Sequence, residues 1–280
     1  MTAPSDHRLL LVRGERAACA LDGVLPAPTF VGTEACVVLA GSAAIRSIPD
    51  VHAEQVDQLL FGERFDVLDR EGGWAFGQAS RDGYVGWVQR AALRTGAPQP
   101  THRVRTIRTY ALAEPNFRAA AVMALSLNAL VEGEEADAGF VRAGWAGWIP
   151  EGHLSPVGVF EADPAAVAER HLGSPYVWGG RDGSGVDCSG LVQQALYACG
   201  RACPRDSDQQ AGIGREIEPG RLRRADLVFW RGHVGMMLDD ERLIHANATD
   251  MAVVIEPLAE AIMRKREAGG GEPTGYRRVV

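Results

Sequence analysis

The chain has 280 residues, of which 46% are hydrophobic and 23% charged, a make-up that excludes a disordered or fibrous protein. A prior of one domain per about 150 residues predicts about two domains and allows three small ones, so a lone miniature module is excluded. The formal net charge of −7 predicts no general attraction to nucleic acid or to an anionic membrane surface.

Glycine is in excess at 33 residues, about 12% against a usual share of about 7%, which predicts many turns and short strands. The first twenty residues contain one short apolar run, residues 9–12, set between Arg8 and Arg13. An export signal needs about 7–15 apolar residues and a membrane span about 18. The expected location is therefore cytoplasmic. Residues 1–37, with Pro26 and Pro28 and no sustained period, read as an N-terminal extension. From 38 to 97 the runs VVLA, FGERFDVLD, GGWAFGQA and YVGWV alternate with turn residues, predicting a small antiparallel β-unit. Its last turn, Gly83-Tyr84-Val85-Gly86-Trp87-Val88, recurs as Gly144-Trp145-Ala146-Gly147-Trp148-Ile149. Gly73-Trp74 and Gly139-Phe140 precede the two copies. Two barrel-like modules are expected, 38–97 and 101–157, with Gly96 to Pro100 as the linker and Trp87 and Trp148 as core residues.

The texture changes near Val157. Asp163-Pro164 predicts a helix start and Gly173 its end. Asp187-Cys188-Ser189-Gly190 leads into LVQQALYACG, where Leu191, Val192, Ala195 and Leu196 share one helix face and Gly200 is a natural terminator. DLVFWR, HVGMML, RLIHA and AVVIE then read as strands, with Asp239-Asp240-Glu241 as a turn. Helix followed by sheet makes this part α+β.

Cys188 thus falls at a helix N-terminus, where orphan N–H groups and the positive dipole end favour a thiolate and can hold an oxyanion. Of the seven histidines, His233 starts one predicted strand and His245 ends the next, so the two imidazoles can be neighbours on one sheet face. One would act as base and the other orient it. The five cysteines are odd in number and scattered, which fits reduced thiols. Cys199 and Cys203 have no second pair to complete a metal site, and no metal or organic cofactor is expected.

Tyr176-Val-Trp178-Gly-Gly, Asp187-Cys188-Ser189-Gly190, Arg205-Asp206-Ser207-Asp208-Gln209-Gln210, Asp226-Leu-Val-Phe-Trp230 with Gly232-His233-Val-Gly235, and Leu-Ile-His245-Ala resemble, in that order, the motifs of the NlpC-type cell-wall cysteine peptidases. The resemblance covers about residues 158–280, with Tyr276-Arg277-Arg278 similar to the last strand of that family. It implies a papain-like α+β catalytic domain behind two small bacterial SH3-like β-barrels. It further implies Cys188 as nucleophile, His233 as base and His245 as its orienting partner. Tyr176, Trp178, Asp187 and Ser189 would line the substrate groove, with the Tyr176 hydroxyl directed at the oxyanion.

The arrangement is most similar to endopeptidases of murein peptide recycling, which cut a γ-D-glutamyl bond in peptides with a free N-terminal L-Ala. That resemblance implies a murein peptide as partner and assigns its amine to Glu63, Tyr84, Asp206 and Ser207. A desolvated ammonium needs such carboxylates and hydroxyls around it. Each has a plainer alternative: Glu63 as a solvated charge, and Asp206 or Ser207 as a helix cap with Ser207-x-x-Gln210 as a capping box. Asp187 would raise the thiol pKa if it faced the sulfur, so it is expected to point away or to bind substrate. The Arg231-Gly232 connection is short for the family, and Trp145 replaces Tyr84 in the second repeat, so only the first repeat is expected to meet substrate. Two other functions stay open on the sequence: an amidase or acyltransferase on the same fold, and a non-catalytic wall-peptide binder.

Overall fold

Short apolar runs before residue 100 fold as strands, and the glycines between them decide how closely those strands approach. The computed structural model describes residues 6–97 and 99–279; residues 1–5, Val280 and Pro98 of the linker lie outside the described residues. The chain divides into two units, Met1–Val157 and Gly158–Val280.

The first unit contains a seven-stranded antiparallel sheet. Its spatial order is Leu93–Thr95, Glu34–Val38, Arg64–Glu71, Trp74–Ala79, Val85–Gln89, Ser42–Arg46 and Gln55–Leu60. Alternate residues such as Cys36, Val38, Ala43, Ile45, Phe65 and Val67 build its core. The first strand begins at Glu34, four residues before the expected boundary. Residues before it are more than an extension: Val12–Arg13, Arg16–Ala18 and Thr29–Val31 form a three-stranded sheet, and Leu11 and Ala18 pack on Leu68. Charged contacts fasten this segment, Arg13 and Arg16 to Asp69 and Arg13 over the Trp87 ring at 4.4 Å, so hydrophobic periodicity does not reveal it.

The second half of this unit has a five-stranded sheet, ordered Ala121–Ser126, Arg108–Leu112, Gly147–Pro150, Phe140–Ala143 and Gly133–Asp137. A three-stranded sheet of Leu130–Val131, His102–Val104 and Leu154–Pro156 accompanies it. The sequence repeat has a physical cause here. A Cβ on Gly86 would lie 2.5 Å from the Ile45 side chain and 2.9 Å from the Arg46 carbonyl oxygen, and one on Gly147 would lie 2.5 Å from the Leu112 carbonyl oxygen. In both copies a crossing strand presses on the glycine, and the next residue, Trp87 or Trp148, pairs with that strand at Arg46 or Leu112. Trp87 is buried, whereas Trp148, expected in the core, is only half-buried.

In the second unit Asp163 caps α1 (Pro164–Glu169) by accepting from the Ala165 N–H. α2 (Cys188–Ala198) is buried along its whole length, packs on the strands His233–Met237 and Arg242–Asn247, and ends where Gly200 takes φ +72°. The six-stranded antiparallel sheet is ordered Arg215–Glu216, Gly275–Arg278, Leu227–Trp230, His233–Met237, Arg242–Asn247 and Ala252–Pro257. Two further helices are α3 (Ser207–Gln210) and α4 (Leu258–Glu267). α4 was not expected; Ala261, with Leu258 and Ile262, packs its apolar stripe on Val228, Trp230 and Leu243.

His171, just beyond α1, is buried with no protein hydrogen-bond partner on either ring nitrogen. Burial, and then the Arg170 charge, lower its pKa from 6.5 to about 4. Below about pH 6.5 the unfolded chain takes up a proton that the folded chain refuses, so stability falls as pH drops toward the folded value. This residue should cost about 2 kcal/mol between pH 7.5 and 5. His171→Leu should flatten that loss in urea unfolding measured across the same pH range.

Candidate active site

The catalytic unit brings Cys188, His233 and His245 onto three neighbouring elements, a helix and two strands. Cys188 is the first residue of α2, with Asp187 as N-cap. Gly190 is required because a Cβ there would sit 2.2 Å from the Gly180 carbonyl oxygen. Asp187 sits in a closed set of donors: the N–H groups of Gly190 at 2.7 Å and Gly179 at 2.8 Å, and the Ser189 hydroxyl at 3.2 Å. Arg205, itself buried, grips both carboxylate oxygens at 3.0 and 2.6 Å and donates to the Ser189 Oγ at 2.8 Å. Ser189 is buried in the same network; Asp187, expected to point away from the sulfur or to bind substrate, is committed to these donors, yet its charge still raises the Cys188 thiol. Arg205 opens the motif that runs to Gln210, and no local pattern marks its role there.

A two-residue turn, Arg231-Gly232 with Gly232 at φ +70°, pairs Trp230 with His233. The short connection therefore makes His233 the first residue of its strand. The adjoining strand carries His245, and His233 Nε2 lies 2.8 Å from His245 Nδ1. Behind them, His245 Nε2 is 2.7 Å from Glu256 Oε1 and 3.1 Å from Asn247 Nδ2. Arg264 of α4 holds both Glu256 oxygens, at 2.6 Å on Oε2 and by a second bond on Oε1. Glu256 was not anticipated; its one signal is a carboxylate closing the apolar run AVVIE.

Burial, with Asp187 as the next cause, pushes the Cys188 thiol up to about 11, against the pull of the Val234 N–H, Arg205 and the Ser189 N–H. The Val234 N–H belongs to the residue after His233, so the sulfur lies against the start of that strand. Burial, then the charges of Lys265, His245 and Arg264, holds His233 well below its usual value. At rest the pair is a thiol and a neutral imidazole, so attack by the sulfur would require the imidazole to take its proton. Tyr176, half-buried beside Val186, has its hydroxyl pKa raised by burial and by Cys188 and Asp187. Trp178 is exposed.

Asp206, not Ser207, is the N-cap of α3, and Gln209 closes the capping box by accepting the Asp206 N–H at 3.1 Å. The expected Ser207-x-x-Gln210 box is therefore one residue out of register, because Gln210 is buried and donates instead to the carbonyls of Ser189 and Pro204. Asp206 and Ser207 are half-buried. In the first unit Glu63 is almost fully buried, with Arg81 Nε 3.1 Å from one oxygen and the Leu60 N–H 3.0 Å from the other. Arg81 also donates to the Asn128 carbonyl, so Glu63 braces the junction of the two β-halves of that unit and is not a solvated charge. Tyr84 is buried in the same unit. None of the five cysteines is in a disulfide; Cys203 is buried and Cys199 partly buried. Among the described residues there is no cluster of potential metal ligands and no helix long and apolar enough to cross a membrane.

A cysteine at the head of a buried helix, packed on a sheet that carries two hydrogen-bonded histidines, is an arrangement able to supply a thiol nucleophile and an imidazole base, as in a papain-like cysteine peptidase. Residues 173–271 match the NlpC/P60 family and residues 45–93 the bacterial dipeptidyl-peptidase SH3 domain. The protein is accordingly a cysteine peptidase with an NlpC/P60 catalytic domain and an SH3 domain ahead of it. It is 25% identical over 249 residues to dipeptidyl-peptidase 6 of Lysinibacillus sphaericus, spanning 80% of this chain and 92% of the relative. It is 26% identical over 229 residues to a gamma-D-glutamyl-L-lysine dipeptidyl-peptidase of Bacillus subtilis, spanning 74% and 77%. An NlpC/P60 family protein from Bacillus cereus shares the fold, with a TM-score of 0.76 at 20% identity over 87% of this chain and 99% of that one.

Two outcomes follow from the electrostatics. The acid limb of kcat/KM should lie below pH 6.5, because His233 stays unprotonated there; a pH–rate profile checks this. Arg205→Met should leave Asp187 buried and unpaired, costing about 3–5 kcal/mol in denaturant unfolding and slowing thiol alkylation at neutral pH.

Proposed function

We propose that this enzyme hydrolyses the bond between γ-D-glutamate and a diamino acid in murein-derived peptides with a free N-terminal L-Ala. The observation that carries the reading is the likeness to dipeptidyl-peptidases over most of both chains, SH3 domain included. Cys188 attacks the γ-glutamyl carbonyl as His233 takes its proton. The N–H groups at the head of α2 and the Tyr176 hydroxyl face the oxyanion, and the His233 imidazolium protonates the leaving amine. Water then hydrolyses the acyl-enzyme with His233 again as base.

Asp206 and Ser207 recognise the L-Ala ammonium, while Trp178 offers an apolar wall to the peptide. Glu63 and Tyr84 belong to the same assignment, although the Glu63 carboxylate already has two donors. The close glycine contacts shared by both β-halves of the first unit support a second SH3-like barrel at residues 101–157. Action on released peptides in the cytoplasm is part of the proposal, and cell fractionation tests it.

Purified enzyme incubated with L-Ala-γ-D-Glu-diamino acid should release the L-Ala-D-Glu dipeptide and the free diamino acid, resolved by mass spectrometry. The N-acetylated peptide should be cut at least about tenfold more slowly, since a desolvated ammonium loses its charge-assisted partners. Asp206→Asn should narrow that difference, and Cys188→Ala should abolish turnover. Equal cleavage of free and acetylated peptides would overturn amine recognition.

A further inference from the structure

We propose that Glu256 is a positioning residue that sets the proton order of the two histidines and supplies the counter-charge for the imidazolium formed when Cys188 ionises. It acts through His245 and touches neither substrate nor sulfur.

The contacts admit one arrangement of protons. An ionised carboxylate can only accept, so at 2.7 Å from Glu256 the His245 Nε2 must donate. A neutral imidazole that donates from Nε2 accepts at Nδ1, and His233 Nε2 lies 2.8 Å from that atom. His233 therefore donates from Nε2 and keeps its lone pair on Nδ1, the nitrogen left to take the Cys188 proton. Asn247 Nδ2 also approaches His245 Nε2, at 3.1 Å, and the reverse order would follow if it were the donor there. A neutral amide at that distance loses to a carboxylate at 2.7 Å, because charge-assisted bonds are shorter and about twice as strong. Asn247 has another partner in any case, donating to Asp250 at 2.9 Å and accepting from its N–H at 2.8 Å.

The charge balance leads to the same residue. When the S–H bond breaks, its proton forms a bond to His233 Nδ1, leaving a thiolate on Cys188 and a positive charge on the imidazole pair. The pair is faced by Arg264 and Lys265 from α4, Asn247 and Asp250 from the turn after His245, Cys188 from α2 and Trp230 from the preceding strand, while Asp187, the N-cap of α2, acts on Cys188. The two α4 cations oppose the imidazolium. Asp187 is committed to Arg205 and Asp250 to Asn247. Glu256 is the carboxylate bonded to an imidazole, and Arg264 clasps it from the far side. The His245 and Arg264 bonds outweigh burial and hold Glu256 at about 2, so it is ionised throughout the working range of a cysteine peptidase.

The test reads Cys188 directly and does not depend on the substrate proposed above. Iodoacetamide alkylation of the full chain is followed across pH, with the Cys188 peptide quantified by mass spectrometry and folding checked by thermal melting. Glu256→Gln should slow alkylation at pH 7 at least tenfold and move its midpoint up by about one unit, while Glu256→Asp should recover most of the rate. In a His245→Gln background the same Glu256→Gln change should cost less than twofold, since its path to the sulfur is gone. Superimposable curves for wild type and Glu256→Gln overturn the proposal, as does an equal loss in the His245→Gln background. If Glu256→Gln does not fold, Glu256→Ala compared in the two backgrounds decides in the same way.

Discussion

Asp187 collects donors from three directions, and the catalytic unit is organised around that collection. Its bonds tie the Tyr176–Gly180 segment to the start of α2 through the Gly179 N–H, cap the helix through Gly190, and draw in the chain before α3 through Arg205. A buried ion pair is a poor source of net stability, because desolvation offsets much of the attraction. Its value here is positional. It fixes where the nucleophile helix begins, and by neutralising a carboxylate next to the sulfur it keeps the thiol from becoming still harder to ionise. Gln210 extends the same order by holding the Ser189 carbonyl.

The histidine side depends on a different element, the hairpins of the sheet. The resting thiol and neutral imidazole are the consequence of burying both partners, and the site overcomes that with N–H groups at the helix head and with a polar chain leading away from the base. Cys188 thus rests as a thiol, which lowers its reactivity toward stray electrophiles.

The elements that rest on local pattern were legible in the sequence. Cys188 at a helix start, Gly200 at its end and the strands bearing His233 and His245 follow from apolar period, cap residues and turns. Groups that depend on tertiary partners were not. Arg205 and Glu256 sit 18 and 11 residues along the chain from Asp187 and His245, the side chains they serve, and no local rule links them. The capping register of α3 went astray because Asp206 and Ser207 are both good caps, and Gln210 is claimed by the core. The N-terminal sheet was missed because ion pairs fasten it, and α4 because its apolar face is narrow. Glu63 shows the converse: a charge that sequence reads as solvent-facing or ligand-binding is locked into the joint between two β-halves.

The two-residue turn before His233 carries an evolutionary consequence. Side chains in a strand alternate faces with a period of two, so one residue added or removed at Arg231-Gly232 without a compensating bulge would turn the base to the opposite side of the sheet. Substitution of Arg231 leaves that parity untouched. The connection can therefore lengthen only where the added residues leave the Trp230–His233 pairing in place, whereas its composition is free of that constraint.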